Sequence, residues 1–347
     1  GKSPMADLRR QNGKEDTWDL KYWGVGNENW GCGGHMTPEY YANEYRRYAT
    51  YARNYGENRL YKVAGGANSW DLKWTEVLMK NIPHRLMNGI SLHYYTVPYT
   101  WSNKGSATEF DEKDYFITLK KAGQMKDLIS QHSTIMDQYD KEKSIGLIVD
   151  EWGTWYDVEP GTNPGFLYQQ NSIRDALSAG MTLNIFNNHA DRVKMANIAQ
   201  TVNVLQAVIL TDETRIVLTP TYHVFDLYQP HMDATLLPYH LENADYTFDG
   251  DVQSSVSASC STSKDDTINI TLVNIDPSNS IKLSCALDGM DAKKVTGRVI
   301  SSKDITDHNT FDNPDKVIIK DFEGFKVSKG KIEVVLPSKS VVLLQVQ

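Results

Sequence analysis

Over roughly the first 215 residues, short continuous apolar runs alternate with longer segments whose apolar positions recur at helical spacing. The runs predict strands at 22–26, 60–64, 90–95, 145–149 and 183–186. Helices are predicted between them, at about 37–52, 71–80, 115–139 and 165–179, and a last one at about 195–210. The first of these opens with Thr37-Pro38-Glu39, a capping hydroxyl followed by a first-turn proline and an acid. Tyr41, Tyr45, Tyr48, Ala49 and Ala52 follow at helical spacing and are read as a core stripe. Strands that are apolar throughout, each followed by a helix, predict a parallel sheet covered on both faces.

From about residue 249 the period changes to two. Short Val/Ile/Thr-rich runs at 267–275, 281–286, 316–322, 331–336 and 340–346 are separated by turn residues, among them Asp276-Pro277-Ser278-Asn279. About seven such strands predict an all-β sandwich. The resulting division is an α/β part at 1–219, a connector at 220–248 containing a helix at 222–228, and a C-terminal β-sandwich at 249–347.

A length of 347 residues suits two domains. The formal charge of −8 disfavours nucleic acid and anionic membranes as partners, since both select basic surfaces. No apolar run has membrane-spanning length. No Gly-x-Gly-x-x-Gly or P-loop lysine is present, and no His/Cys cluster has metal-ligand spacing, so neither cofactor nor metal is expected. Three cysteines, Cys32, Cys260 and Cys285, leave at least one unpaired; Cys260 with Cys285 is the one pairing considered, against two separate buried thiols.

Polar and aromatic residues gather where the runs end: Asn27/Glu28, His93/Tyr95, Glu151/Trp152 and Asn187/His189. In a β/α barrel that is the catalytic face. Two acids at two strand ends, Glu28 and Glu151, with Trp and Tyr around them, fit glycoside hydrolysis, which needs one carboxyl to protonate the leaving oxygen and one to attack or to activate water. Aromatic faces stack on sugar rings. Glu28 is the candidate acid/base and Glu151 the candidate nucleophile, kept ionised by a donor such as the Tyr95 hydroxyl.

These residues fall in motifs that resemble a known family. Trp23-Gly-Val-Gly-Asn-Glu28, Leu92-His-Tyr-Tyr95, Asp150-Glu-Trp-Gly-Thr-Trp-Tyr156, His189-Ala-Asp-Arg-Val-Lys194 and Ala199-Gln-Thr-Val-Asn203 resemble, in that order, glycoside hydrolase family 51, the retaining α-L-arabinofuranosidases. Thr219-Pro-Thr-Tyr-His-Val-Phe225 is similar to that family's passage into its C-terminal sandwich. The resemblance implies a (β/α)8 TIM barrel followed by a sandwich. It further implies Asn27 on the sugar 2-hydroxyl, Tyr95 positioning the nucleophile, Trp155 walling the subsite and Gln200 contacting arabinose. His93 would support the site rather than react. The expected partner is an arabinose-containing oligo- or polysaccharide of arabinan or arabinoxylan type, and the expected assembly a homo-oligomer.

The alternatives are a related barrel glycosidase acting on β-glucan or xylan, and a non-catalytic carbohydrate-binding fragment. In a retaining enzyme the two carboxyls stand about 5–5.5 Å apart, against about 6.5–9.5 Å in an inverting one. Only five β/α units are read here, with the Asn-Glu strand as the fourth of eight. Five strands cannot close a barrel, so the N-terminal segment is expected on another polypeptide or beyond a fragment. The compartment stays open.

Overall fold

The computed structural model describes residues 1–347 apart from Asn243, Met290, Asp291, Lys293 and Lys329. Helix α1 (Pro4–Gln11) precedes strand β1 (Tyr22–Val25), α2 (Pro38–Tyr51), β2 (Tyr61–Asn68) and α3 (Leu72–Asn81). Then come β3 (Gly89–Thr96), α4 (Glu112–Gly123), α5 (Met125–Asp137), β4 (Gly146–Thr154), α6 (Ile173–Asn188) and β5 (Val193–Ile198). The five strands form one sheet in the order β1-β2-β3-β4-β5, and the β1–β2 and β4–β5 pairs are parallel. This is the expected half-barrel of five β/α units, with its first four strands at the predicted runs.

The chain divides into two compact units, residues 1–91 with 135–146, and residues 92–134 with 147–347. In the first, Thr37 caps α2 by accepting from the Tyr40 amide, as its Thr-Pro-Glu signal predicts. The Tyr41 hydroxyl then donates to the Val25 carbonyl (2.5 Å) and accepts from the Gly65 amide (2.5 Å), fastening α2 to β1 and β2 at once. Tyr41, Tyr45, Ala49 and Ala52 are buried core, but Tyr48 is exposed. The buried arc centres on Tyr45, and at 100° per residue Tyr48 falls on its margin. Gly65 and Gly66 lie inside β2 rather than after it.

In the second unit the reading departs from the sequence expectation most. The run at 183–186 is not a strand but the fourth turn of α6, which extends to Asn188; the helix begins at Ile173, not 165. Twelve of its residues are buried, so it carries no polar face to betray a helical period. Consequently the fifth strand is Val193–Ile198, where a helix is expected at 195–210, and the rest of that stretch is irregular until the hairpin β6 (Ile209–Asp212) and β7 (Arg215–Leu218). Asn187 and His189 therefore close a helix, with the His189 ring bonded to the Ile185 carbonyl at 2.8 Å. The helix expected at 115–139 is two helices, α4 and α5.

Helix α7 (Pro220–Tyr228) leads to short strands β8 (Thr235–Leu236), β9 (Asp245–Phe248) and β10 (Asp251–Ser254). The remaining strands are β11 (Val256–Thr262), β12 (Ile268–Asn274), β13 (Ile281–Ala286), β14 (Val295–Ser301), β15 (Lys320–Asp321), β16 (Phe325–Ser328), β17 (Lys331–Leu336) and β18 (Ser340–Val346). Of the run at 316–322 only the two residues of β15 are strand. A six-stranded sheet β15-β14-β18-β12-β11-β8 packs its Val256, Ile270, Leu272, Val342 and Leu344 against Ile332, Val334 and Leu336 of the sheet β13-β17-β16. Cys260 and Cys285 line that core as free thiols, so the considered disulfide is absent.

The other face of β12 and β18 lies under α6, which is why both strands are buried on alternate and intervening positions alike. Gly180 makes the approach possible: a Cβ there would come within 3.0 Å of Val273 and 3.2 Å of Val341. Polar groups trapped at this contact are paired. The Asn184 amide oxygen accepts from the hydroxyls of Tyr228 and Ser259, both at 2.8 Å. The His231 ring lies 2.8 Å from Ser261 Oγ and 3.2 Å from Thr271 Oγ1.

Burial pushes the His231 imidazole down from 6.5 to about 4. Above pH 6.5 the ring is neutral in folded and unfolded chains alike. As pH falls from 6.5 through 4 the unfolded chain takes the proton first, so stability drops by up to about 3 kcal/mol. Melting temperatures at pH 7 and pH 4.5 should therefore differ less in His231→Gln than in the wild type. An equal difference in both proteins would remove His231 from the acid response.

Candidate active site

Glu28 stands three residues beyond β1, in a tight loop that folds back on it. The amides of Gly31 (2.8 Å) and Gly33 (3.0 Å) both donate to the Glu28 carbonyl, and the Asn29 side chain donates to the Gly33 carbonyl at 3.0 Å. Glu28 itself has φ of 44°, a left-handed conformation that non-glycine residues seldom take. Such backbone is held only where surrounding bonds over-determine it, and functional loops are where it collects. The Cys32 thiol donates to Glu28 Oε2 at 3.3 Å. Asn27, beside it, is exposed, and Glu28 is half-buried.

Glu151 belongs to the second unit and lies within β4, not after it as the sequence suggests. Against β5, Val149 pairs with Ala196 and Trp152 with Ile198, so β4 spends three steps where β5 spends two. The extra residue is a bulge at Asp150–Glu151, a device that re-aims side chains next to active sites. Both oxygens of Glu151 are engaged: the Tyr95 hydroxyl donates to Oε1 at 2.6 Å, and His93 Nδ1 lies 2.6 Å from Oε2.

His93 is buried, and its Nε2 lies 3.2 Å from Asp150 Oδ1. Burial alone would push this imidazole down, but bonds and charge from Asp150 and Glu151 outweigh it and hold it up at about 10. At neutral pH it is a cation between two carboxylates. That charge favours an ionised Glu151.

Trp155 flanks the same carboxylate through Tyr95. Its ring meets Tyr95 edge-on at 4.8 Å between centroids, and Trp101 meets Trp155 edge-on at 5.3 Å. Lys104 Nζ lies over the Trp155 ring at 5.6 Å. Trp101 is 61% exposed and was not among the residues expected here. It sits in the loop after β3, where Pro98-Tyr99-Thr100-Trp101 carries an aromatic signal that a strand-end search for polar groups passes over. Gln200 follows β5, exposed at the end of its strand, with its amide bonded to the Leu205 carbonyl at 2.7 Å.

Thus within the second unit His93, Tyr95, Glu151 and Trp155 are gathered into one contiguous cluster, and Gln200 ends the next strand of the sheet. Asn27 and Glu28 occupy the corresponding end of β1. A carboxylate held by a phenol and an imidazolium, with indole faces beside it, can act as a nucleophile toward a sugar carbon.

Residues 150–340 match the family described as alpha-L-arabinofuranosidase C-terminal domain. An intracellular exo-alpha-L-arabinofuranosidase of Bacteroides ovatus is 51% identical over 348 residues, covering all of this chain and 68% of that protein. A probable alpha-L-arabinofuranosidase C of Aspergillus flavus is 26% identical over 310 residues, 83% of this chain and 59% of that protein. Among solved structures, the GH51 arabinofuranosidase from Xanthomonas axonopodis pv. citri superposes with a TM-score of 0.97 at 46% identity, over all of this chain and 70% of that one. The chain thus spans about two thirds of the length of these bacterial proteins and less of the fungal one.

Proposed function

We propose that this chain, which belongs to the glycoside hydrolase family 51 α-L-arabinofuranosidases, supplies both carboxylates of a retaining double displacement. Glu28 protonates the glycosidic oxygen while Glu151 attacks the anomeric carbon, breaking the bond to the leaving group and forming an arabinosyl ester. Glu28, now a carboxylate, takes a proton from water, whose oxygen attacks the same carbon and expels Glu151. Two inversions leave the configuration unchanged. The substrates are terminal α-L-arabinofuranosyl residues of arabinan- or arabinoxylan-type oligosaccharides. Asn27 bonds the 2-hydroxyl, Gln200 contacts the sugar and Trp155 walls it.

The observation that carries this reading is the double hold on Glu151. A nucleophilic carboxylate must stay ionised and keep its orientation as charge leaves it. The Tyr95 hydroxyl and the His93 cation, each at 2.6 Å on a different oxygen, meet both needs. The hydroxyl is a charge-assisted donor, so Tyr95→Phe in the intact enzyme should lower kcat/KM for nitrophenyl arabinofuranoside by about ten- to a hundred-fold. A value within two-fold of wild type would show that the phenol does not hold the nucleophile. Activity on nitrophenyl xyloside or cello-oligosaccharides in place of the arabinofuranoside would redirect the substrate assignment to β-glucan or xylan.

A further inference from the structure

Beyond Glu151 the chain does not relax into an ordinary loop. Thr154, which ends β4, and Tyr156 are buried on either side of a half-buried Trp155, and their polar groups are captured by buried side chains. The Thr154 amide donates to Gln206 Oε1 (2.5 Å), and the Tyr156 amide donates to Gln169 Oε1 (2.8 Å). Gln169 Nε2 returns a bond to the Thr154 carbonyl (3.2 Å). The hydroxyls of Thr154 (2.6 Å) and Tyr156 (2.9 Å) converge on one oxygen, Asp175 Oδ1. Gln206 Nε2 donates to the Asp175 carbonyl at 3.0 Å, which closes the ring.

Gln169 is 1% exposed, and Asp175 and Gln206 are fully buried. Asp175 is anchored in turn, because its Oδ2 accepts from the Ser172 amide (2.7 Å) in the capping box that starts α6. Gly153 has φ of 145°, and a Cβ there would meet Gln206 Oε1 at 2.8 Å, so the clamp grips the backbone itself.

The alternation decides what this holds. Thr154 and Tyr156 are buried, whereas Trp155 between them is only half-buried. Its amide donates to the Thr96 carbonyl at 3.0 Å, and its ring lies against Tyr95, the donor to Glu151. We propose that Asp175, Gln169 and Gln206 are positioning residues: by pinning the residues on either side of Trp155 they fix the wall of the sugar subsite and its contact with Tyr95. The inference rests on the assignment of Trp155 and Glu151 given above and deepens it. Burying a carboxylate and two amides solely to stabilise a loop is costly compared with apolar packing. A fully satisfied ring that specifies one geometry is what such a cost obtains.

Thr154→Val and Tyr156→Phe each remove one hydroxyl donor to Asp175 with little change of shape, and Thr154→Ser keeps it. In the intact enzyme, each of the first two should raise KM for nitrophenyl arabinofuranoside by about ten-fold while kcat stays within about three-fold, and the serine variant should track wild type. A merely stabilising role would lower the melting temperature and the active fraction, which scales kcat and leaves KM in place. KM within two-fold of wild type in both folded variants would overturn the inference. If Thr154→Val fails to fold, Tyr156→Phe decides alone, since it acts on the same Asp175 oxygen. An inactive wild-type enzyme would overturn the functional reading and this inference with it. An active wild type with unmoved KM would overturn this inference only.

Discussion

In the intact enzyme, Glu151→Ala will lower kcat for nitrophenyl arabinofuranoside by roughly four orders of magnitude or more, an effect of the size seen when a covalent nucleophile is deleted. The expectation follows from where Glu151 stands. A bulge in β4 turns its carboxylate out of the ladder with β5, and both oxygens are then fixed by Tyr95 and His93. Asp150, the adjoining acid, has its Oδ1 3.2 Å from His93 Nε2, on the side of the ring away from Glu151. The alanine variant leaves His93 without one of the two partners that hold its charge. Small anions such as azide can then occupy the vacated space and attack the sugar from the side Glu151 used, giving a product of inverted configuration. Rescue with that stereochemistry marks the nucleophile. Wild-type-like turnover in Glu151→Ala would end the assignment.

Glu28→Ala will divide its effect by leaving group. Protonation of the departing oxygen is worth about two to four orders of magnitude where the leaving group is a poor one such as a sugar, and much less where it is an activated phenol. The variant should therefore lose nearly all activity on arabino-oligosaccharides and retain the first step on dinitrophenyl arabinofuranoside. The second step needs the same side chain as a base, so a burst of phenol followed by a slow steady state is expected. Equal losses on both substrates, with no burst, would assign Glu28 to binding alone. The loop supports the specific role: a left-handed Glu28, its carbonyl bonded by two glycine amides and its carboxylate by the Cys32 thiol, is aimed by backbone rather than left to find its rotamer.

The proposed pair is legible because it obeys a local rule. An apolar run that ends abruptly in Asn-Glu or Asp-Glu-Trp has no packing reason for its polar end, so chemistry is the economical explanation for Glu28 and Glu151. His93 and Tyr95 follow from the same rule and Trp155 from the family motif, and the structure gathers all three around one carboxylate. The same rule misplaced a strand. Leu183, Asn184, Ile185 and Phe186 look like a buried strand because α6 is enclosed by α4, α7 and the sandwich, leaving no polar stripe to reveal its period. That error moved the fifth strand and turned Asn187 and His189 into false strand-end residues.

The clamp was illegible for a different reason. Gln169, Asp175 and Gln206 are polar residues without motif spacing, and no run of the sequence singles them out. Gln206 and Gln169 supply partners to the backbone of Thr154 and Tyr156 where the ladder of β4 ends, and Asp175 takes the hydroxyls of the same two residues. Unsatisfied backbone at a strand end is visible only once the sheet is built. Tyr115, bonded to the Ile275 carbonyl at 2.8 Å, and Tyr246, bonded to Glu112, make the same point for the contact of α4 with the sandwich side of its unit.

The central claim is that Glu151 carries the sugar. Glu28→Ala enzyme, mixed with dinitrophenyl arabinofuranoside and quenched in acid, should hold the glycosylated intermediate long enough for proteolysis and mass spectrometry. One added arabinosyl group is expected on the peptide containing Glu151, absent when Glu151 is also replaced. An arabinosyl group on a different residue, or rapid turnover with no label on any peptide, would contradict it.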